Sequence, residues 1–232
     1  MDKRKVVVFD SGVGGLTTLK YLSEMLPGED YYYFGDYDNN PYGTKTTKEL
    51  QEILRKNIKY LSSLNPKIIV IACNTAGTQI EYLKTITDIL MYEPISVTAD
   101  YIKNNLKMKN ESNILLLATD FTVKTGLYEQ KLSEYNVIGQ SAQILVKLAE
   151  EHVNDYAEVE KITGKYRNSV DCVILGCTHF GYFEKEIVES TNCNNIVESA
   201  KVLAIKVKEY LEENNLLNDN IKGSINYIEH IE

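Results

Sequence analysis

Seven short apolar runs punctuate this chain, and their character restricts its fold more than any other feature. They are "KVVVFD" (Lys5–Asp10), "YYYFGD" (Tyr31–Asp36), "KIIVIAC" (Lys67–Cys73), "PISV" (Pro94–Val97), "NILLLAT" (Asn113–Thr119), "DCVILGC" (Asp171–Cys177) and "NIVE" (Asn195–Glu198). Most are continuously apolar rather than alternating, the pattern of strands covered on both faces. Between them the apolar positions follow the helical period: Leu16, Leu19, Leu22 and Leu26, then Leu50, Ile53, Leu54, Ile58 and Leu61. Strand and helix in alternation imply an α/β protein with a mostly parallel sheet flanked by helices.

The order of runs also repeats. "VVVFDSGVGG" is answered by "ILLLATDFTV", and "IIVIACNTAG" by "CVILGCTHFG", at separations of 109 residues (Asp10 to Thr119) and 104 residues (Cys73 to Cys177). Two similar lobes related by a pseudo-twofold are therefore expected, with no low-complexity linker between them. The first covers residues 1–95 and the second 96–205, and residues 206–232 form a C-terminal helix and tail packing back on the first. Ligands of open parallel sheets gather beyond the carboxyl ends of the strands. Asp10, Cys73, Thr119 and Cys177 each stand at such an end, so two facing lobes would bring all four to one cleft.

A net charge of −8 argues against nucleic acid or an anionic membrane as the main partner. No apolar run approaches a membrane span, and the N-terminus passes straight into a strand-like segment without a leader pattern. A cytoplasmic protein with free thiols is expected, because four widely spaced cysteines do not read as a disulfide framework. The three histidines are scattered and CxxC and HExxH are absent, so no structural zinc site is expected.

Cys172, inside its run, reads as a small buried hydrophobe, and Cys193, in "ESTNCNN", as an incidental surface or loop thiol. Cys73 and Cys177 differ from both. Each lies where strand gives way to helix, and the amides of the next helix are expected to lower the thiol's pKa. Two matched thiols facing one cleft suit a racemase, which removes a proton from one face of a carbon and returns one from the other. A single nucleophilic cysteine needs no duplicate.

"DSGVGG" (Asp10–Gly15) permits a tight turn and close backbone approach at a helix start, where a carboxylate could bind. Alone it reads better as a structural turn, since it matches neither GxGxxG nor GxxxxGK[ST]. Asp10 could hold a substrate ammonium or assist a thiol. "NNPYGTKT" (Asn39–Thr46) is a turn ending in a Thr N-cap whose amides could also bind a carboxylate. His179, two residues after Cys177, is either a core histidine or a proton partner.

Taken together, "FDSGVGGLTTLKYLSEMLPGEDYYYFGD", "PYGTKT", "ACNTAG" and "LGCTHF", in this order, resemble glutamate racemases of the aspartate/glutamate racemase superfamily, from about Lys5 to about Ala200. The aspartate branch usually has Glu rather than His after the second Cys–Thr, so the sequence sides with the glutamate branch. The resemblance implies racemisation of L- and D-glutamate without a cofactor or metal, supplying D-glutamate for peptidoglycan, by a homodimer. Carried over by position, it implies Cys73 and Cys177 as the two bases, with Asp10, His179 and Glu150 assisting. Ser11, Pro41, Tyr42, Gly43, Asn74, Thr75, Thr119, Thr122 and Thr178 then match the substrate-binding pattern, alongside Asp10 and His179. Phe121 replaces a family glycine, "CTHFGYF" replaces the usual Cys-Thr-His-Tyr-Pro-Leu-Leu, and Glu198 stands where Asp is common. Two other readings stay open, an aspartate racemase and a binding protein that keeps the cleft without turnover; a single-thiol relative such as a decarboxylase would lack one of the two cysteines, and both are present.

Overall fold

A computed structural model describes residues 2–231. In chain order its elements are β1 (Val6–Asp10), α1 (Leu16–Met25), β2 (Tyr31–Gly35), α2 (Thr47–Ser63), β3 (Ile68–Ile71), α3 (Asn74–Gly77), α4 (Ile80–Leu83), β4 (Met91–Tyr92) and α5 (Pro94–Asn105). Next come β5 (Asn113–Ala118), α6 (Asp120–Thr125), α7 (Leu127–Lys131), β6 (Asn136–Ser141), α8 (Gln143–Glu150) and α9 (Tyr156–Thr163). The chain continues through β7 (Cys172–Gly176), α10 (Glu184–Thr191), β8 (Ile196–Glu198), α11 (Ser199–Glu213) and β9 (Ile225–Ile228).

Every strand pair is parallel. The first sheet has the order β4-β3-β1-β2-β9 and the second β6-β5-β7-β8. Read from the other edge, the second is β8-β7-β5-β6, so β1 corresponds to β5 and β3 to β7. The internal repeat in the sequence is thus a repeat of topology: a two-lobed α/β fold.

Strand side chains alternate between two faces, and each face has its own covering. Val6, Val8, Ile68 and Val70 of the first sheet share one apolar core with Ile114, Leu116 and Ile174 of the second, through Leu22, Ile102, Leu203 and Val207 of the intervening helices. On the outer face of the first sheet, Val7, Phe9 and Ile71 pack on Leu50, Leu54 and Ile58 of α2. On the outer face of the second, Leu115, Leu117 and Val173 pack on Leu145, Val159 and Ile187. Burial on both faces is why these strands read as unbroken apolar runs.

Three elements depart from expectation. Pro94–Val97 is the first turn of α5, not a strand, with Pro94 at a helix start where its missing N–H costs nothing. The strand before it is only Met91–Tyr92. β6 and β9 lacked an apolar signature because both are edge strands; β6 is exposed or half-buried along its length, and β9 is mostly exposed. The expected divisions after residues 95 and 205 fall inside α5 and α11, which pack on each other between the sheets. β9 joins the first sheet beside β2. Ahead of it, Asp30 accepts from the Ser224 amide at 2.8 Å and Glu29 from the Asn218 amide at 2.6 Å.

Candidate active site

β1 and β3 of the first sheet end side by side, as do β5 and β7 of the second, and the residues just past these ends meet between the lobes. Cys73 follows β3 as the N-cap of α3, its Sγ accepting from the Ala76 amide at 3.5 Å and donating to Ser11 Oγ at 3.7 Å. Cys177 follows β7, its Sγ 3.6 Å from His179 Nδ1. Both thiols line one cavity of about 20 Å³, together with Ser11, Pro41, Tyr42, Gly43, Asn74, Thr75, Thr119, Thr178 and His179. That volume holds about one water.

Asp10, Thr122 and Glu150 stand behind this lining rather than in it. Asp10 is wholly buried; its Oδ2 accepts from the Gly12 amide at 3.2 Å, while Oδ1 has no partner. Burial raises its pKa, opposed mainly by His179. Glu150 Oε1 lies 3.3 Å from His179 Nε2, an ion-pair distance without hydrogen-bond alignment, and accepts from Asn40 Nδ2 at 3.1 Å. Thr122 closes a hydroxyl cluster across the lobes, with Thr75 Oγ1 2.9 Å from Thr119 Oγ1 and Thr119 donating to Thr122 at 3.1 Å. The Tyr42 hydroxyl donates to Asp36 Oδ2 at 2.6 Å and accepts from Asn57 at 3.0 Å, so its phenol is already engaged within the first lobe.

The glycines of "DSGVGG" are explained by what a side chain would strike. A Cβ on Gly14 would run into Thr178 and His179 of the opposite lobe, and one on Gly15 into Asp10. None of the three glycines has the positive φ that would single out glycine for strain. Their use here is close approach.

The sequence model of the Asp/Glu/Hydantoin racemase family matches residues 37–206. Glutamate racemase 1 of Caldanaerobacter subterraneus is 35% identical, covering 98% of this chain and 88% of its own. The glutamate racemase of Carboxydothermus hydrogenoformans is also 35% identical, covering 95% and 85%. The crystal structure of the Francisella tularensis glutamate racemase in complex with D-glutamate superposes with a TM-score of 0.89 at 26% identity, covering 98% of this chain and 88% of that one. The chain belongs to the Asp/Glu/hydantoin racemase family.

Within that family frame, two expectations about the thiols are corrected. Burial pushes the Cys73 thiol up to about 12, and the Asp10 charge adds to the rise; the Ala76 amide opposes it, as expected, but is outweighed. Burial also drives the Cys177 thiol up, opposed first by the His179 amide. α3 is a single turn, and Cys177 is followed by a 3-10 turn (Phe180–Phe183) rather than an α-helix, so the amide effect is small beside desolvation. Cys193 lies in the loop expected but is buried there rather than on the surface, its thiol pointing to the Asn195 carbonyl at 3.8 Å. Cys172 is the fully buried strand residue expected.

The racemase-family departures at Gly181 and Glu198 prove to be neighbours. A Cβ at Gly181 would come within 2.5 Å of Glu198 Oε1, and Glu198 Oε2 accepts from Tyr21 OH at 2.6 Å. The longer acid occupies room that the glycine leaves. Asn40, Gln143 and Val146 also line the cavity and were not foreseen. Asn40 adjoins the "PYG" turn and could have been included; Gln143 carries no sequence signal and reaches the site only because α8 folds over it.

Proposed function

We propose that this protein is a glutamate racemase using two thiols and no cofactor. The observation that carries the reading is the pair Cys73 and Cys177, at corresponding strand ends of two repeated lobes and on one cavity. The chain's similarity to proteins named glutamate racemase supports the choice of substrate.

In this reading one thiolate takes the Cα proton of glutamate, leaving a carbanion delocalised into its carboxylate. The opposite thiol gives its proton to the other face and becomes the thiolate for the reverse direction. One proton leaves Cα and one arrives, so the reaction needs no co-reactant. Asp10 beside Cys73 and His179 beside Cys177 assist the transfers, with Glu150 holding His179. Asn74, Thr75, Thr119 and Thr178, with Ser11 and the amides around Pro41, Tyr42 and Gly43, bind the substrate's charged ends. The room between the thiols admits about one water, which favours a cleft that widens as glutamate enters. Among the described residues no helix is long and apolar enough to cross a membrane. We place the enzyme in the cytoplasm as a homodimer, with its D-glutamate serving peptidoglycan assembly.

The test is incubation of purified protein with L-glutamate and with L-aspartate, without added cofactor, followed by chiral chromatography. D-glutamate should accumulate to a racemic mixture and D-aspartate much more slowly. One methylene is worth about 1–3 kcal/mol in a pocket, which sets the scale of that preference. Turnover of neither substrate, or recovery only with an added cofactor, overturns the reading.

A further inference from the structure

Asn74, the residue after Cys73, is held at both ends of its amide by the opposite lobe. Its Oδ1 accepts from the Tyr128 hydroxyl at 2.7 Å, and its Nδ2 donates to Ser199 Oγ at 3.1 Å. Ser199 in turn donates to the Leu175 carbonyl at 2.8 Å. A serine hydroxyl has one proton, so with that proton on Leu175 it can only accept from Asn74. The donor order therefore decides which end of the amide is oxygen.

The connections are as informative as the bonds. Leu175 lies in β7, two residues before Cys177, and Tyr128 lies in α7. Tyr128 and Ser199 are both wholly buried, and neither lines the cavity. A single chain of hydrogen bonds thus runs from the turn that carries Cys73 to the strand that carries Cys177. Buried polar chains of this kind rigidify what they join when every member is satisfied.

We propose that Tyr128 and Ser199 are positioning residues for racemisation: they lock the Asn74 amide and set the span between the two sulfurs. The proposal rests on the two-thiol reading above. Racemisation needs both sulfurs on opposite faces of one carbon, whereas proton exchange on one face needs only one. Loosening the tether therefore damages transfer across the carbon more than abstraction from it.

The experiment compares wild type with Tyr128→Phe, which deletes a single oxygen, and Ser199→Ala, in deuterated buffer with L-glutamate. It reads kcat, KM, thermal stability, and deuterium entering Cα of recovered L-glutamate relative to racemisation. Thr163→Val is the control: Thr163 is wholly buried, donates to the Val159 carbonyl at 2.7 Å and meets the Ser190 hydroxyl, next to Val159 and Ile162 of the second lobe's outer core. Both test variants should lose about tenfold or more in kcat, the scale of a sub-ångström to 1 Å misplacement, with a smaller change in KM. Their exchange-to-racemisation ratio should rise severalfold, while the control loses stability with its ratio unchanged. Wild-type ratios with kcat within about twofold in both variants overturn the proposal alone, as does an equal rise in the control. Absence of racemisation by wild type overturns the two-thiol reading, and this proposal with it.

Discussion

Gly14→Ala adds one methyl group where the first lobe lies close against Thr178 and His179 of the second. The new Cβ would lie 2.7 Å from His179 Cε1 and 2.9 Å from Nδ1, and still closer to Thr178 Oγ1. Carbon contacts settle at about 3.5–4.0 Å, so the lobes must part by roughly 1 Å or His179 must turn away. Overpacking costs about 1–3 kcal/mol, partly offset by about 0.4–1 kcal/mol from a stiffer unfolded chain. A net loss of about 1–2 kcal/mol should show in thermal denaturation. Activity should suffer more. His179 sits 3.6 Å from the Cys177 sulfur, and a 1 Å misplacement can cost about a hundredfold in turnover. Chiral assay of kcat in both directions checks this. Gly12→Ala is the comparison, because its Cβ would meet only the end of the Asn40 side chain, at 3.3 Å. Gly14→Ala at more than a third of wild-type turnover would refute the argument that the glycine exists for lobe approach.

Three further outcomes follow from the same geometry. Asp10→Asn should lower turnover about a hundredfold while leaving the fold intact, because it removes the titratable group near Cys73 and keeps an oxygen for the Gly12 amide; turnover within about threefold of wild type would contradict it. Cys73 should stay protonated in the ligand-free protein until the pH nears about 12. Between the ordinary thiol range and that value the folded state binds more protons than the unfolded, so stability is full below the window and falls as pH rises through it; Cys73→Ala should flatten that fall in denaturant titrations, and an unchanged slope would count against it. Gly181→Ala should displace the Glu198 carboxylate and weaken its bond to Tyr21, and adding Glu198→Asp should restore about 1 kcal/mol or more of the loss; simple additivity in a double-mutant cycle would show that the two positions are not coupled.

What could be read in the sequence was whatever the chain encodes locally. Strands buried on both faces announce themselves as apolar runs, and the repeat of two such runs, each ending in Cys, located both thiols and the fold class. Edge strands carry no such mark: β6 is a strand because β5 lies beside it, and β9 because β2 does. The sign of the thiol shifts was also out of reach, since Cys73 has the amide contact its sequence position suggests and is still dominated by desolvation, a property of the closed cleft. Gln143 reaches the cavity, and Tyr128 and Ser199 reach the Asn74 amide behind it, from distant segments, and all three look like ordinary helix residues in sequence. Cys193 shows the limit most simply, because a polar stretch of sequence folded into the second lobe's outer core.

The central claim is that Cys73 and Cys177 serve opposite faces of one carbon, and isotope incorporation tests it most directly. Wild-type protein is given protonated L-glutamate in deuterated water, and both enantiomers are recovered early in the reaction for mass analysis at Cα. A proton delivered by the opposite, solvent-exchanged thiol places deuterium in D-glutamate, while the remaining L-glutamate stays largely protonated; the reverse reaction from D-glutamate should show the mirror pattern. Early deuterium in recovered L-glutamate at a level comparable to the product, or product that keeps the original proton, would contradict a two-thiol enzyme.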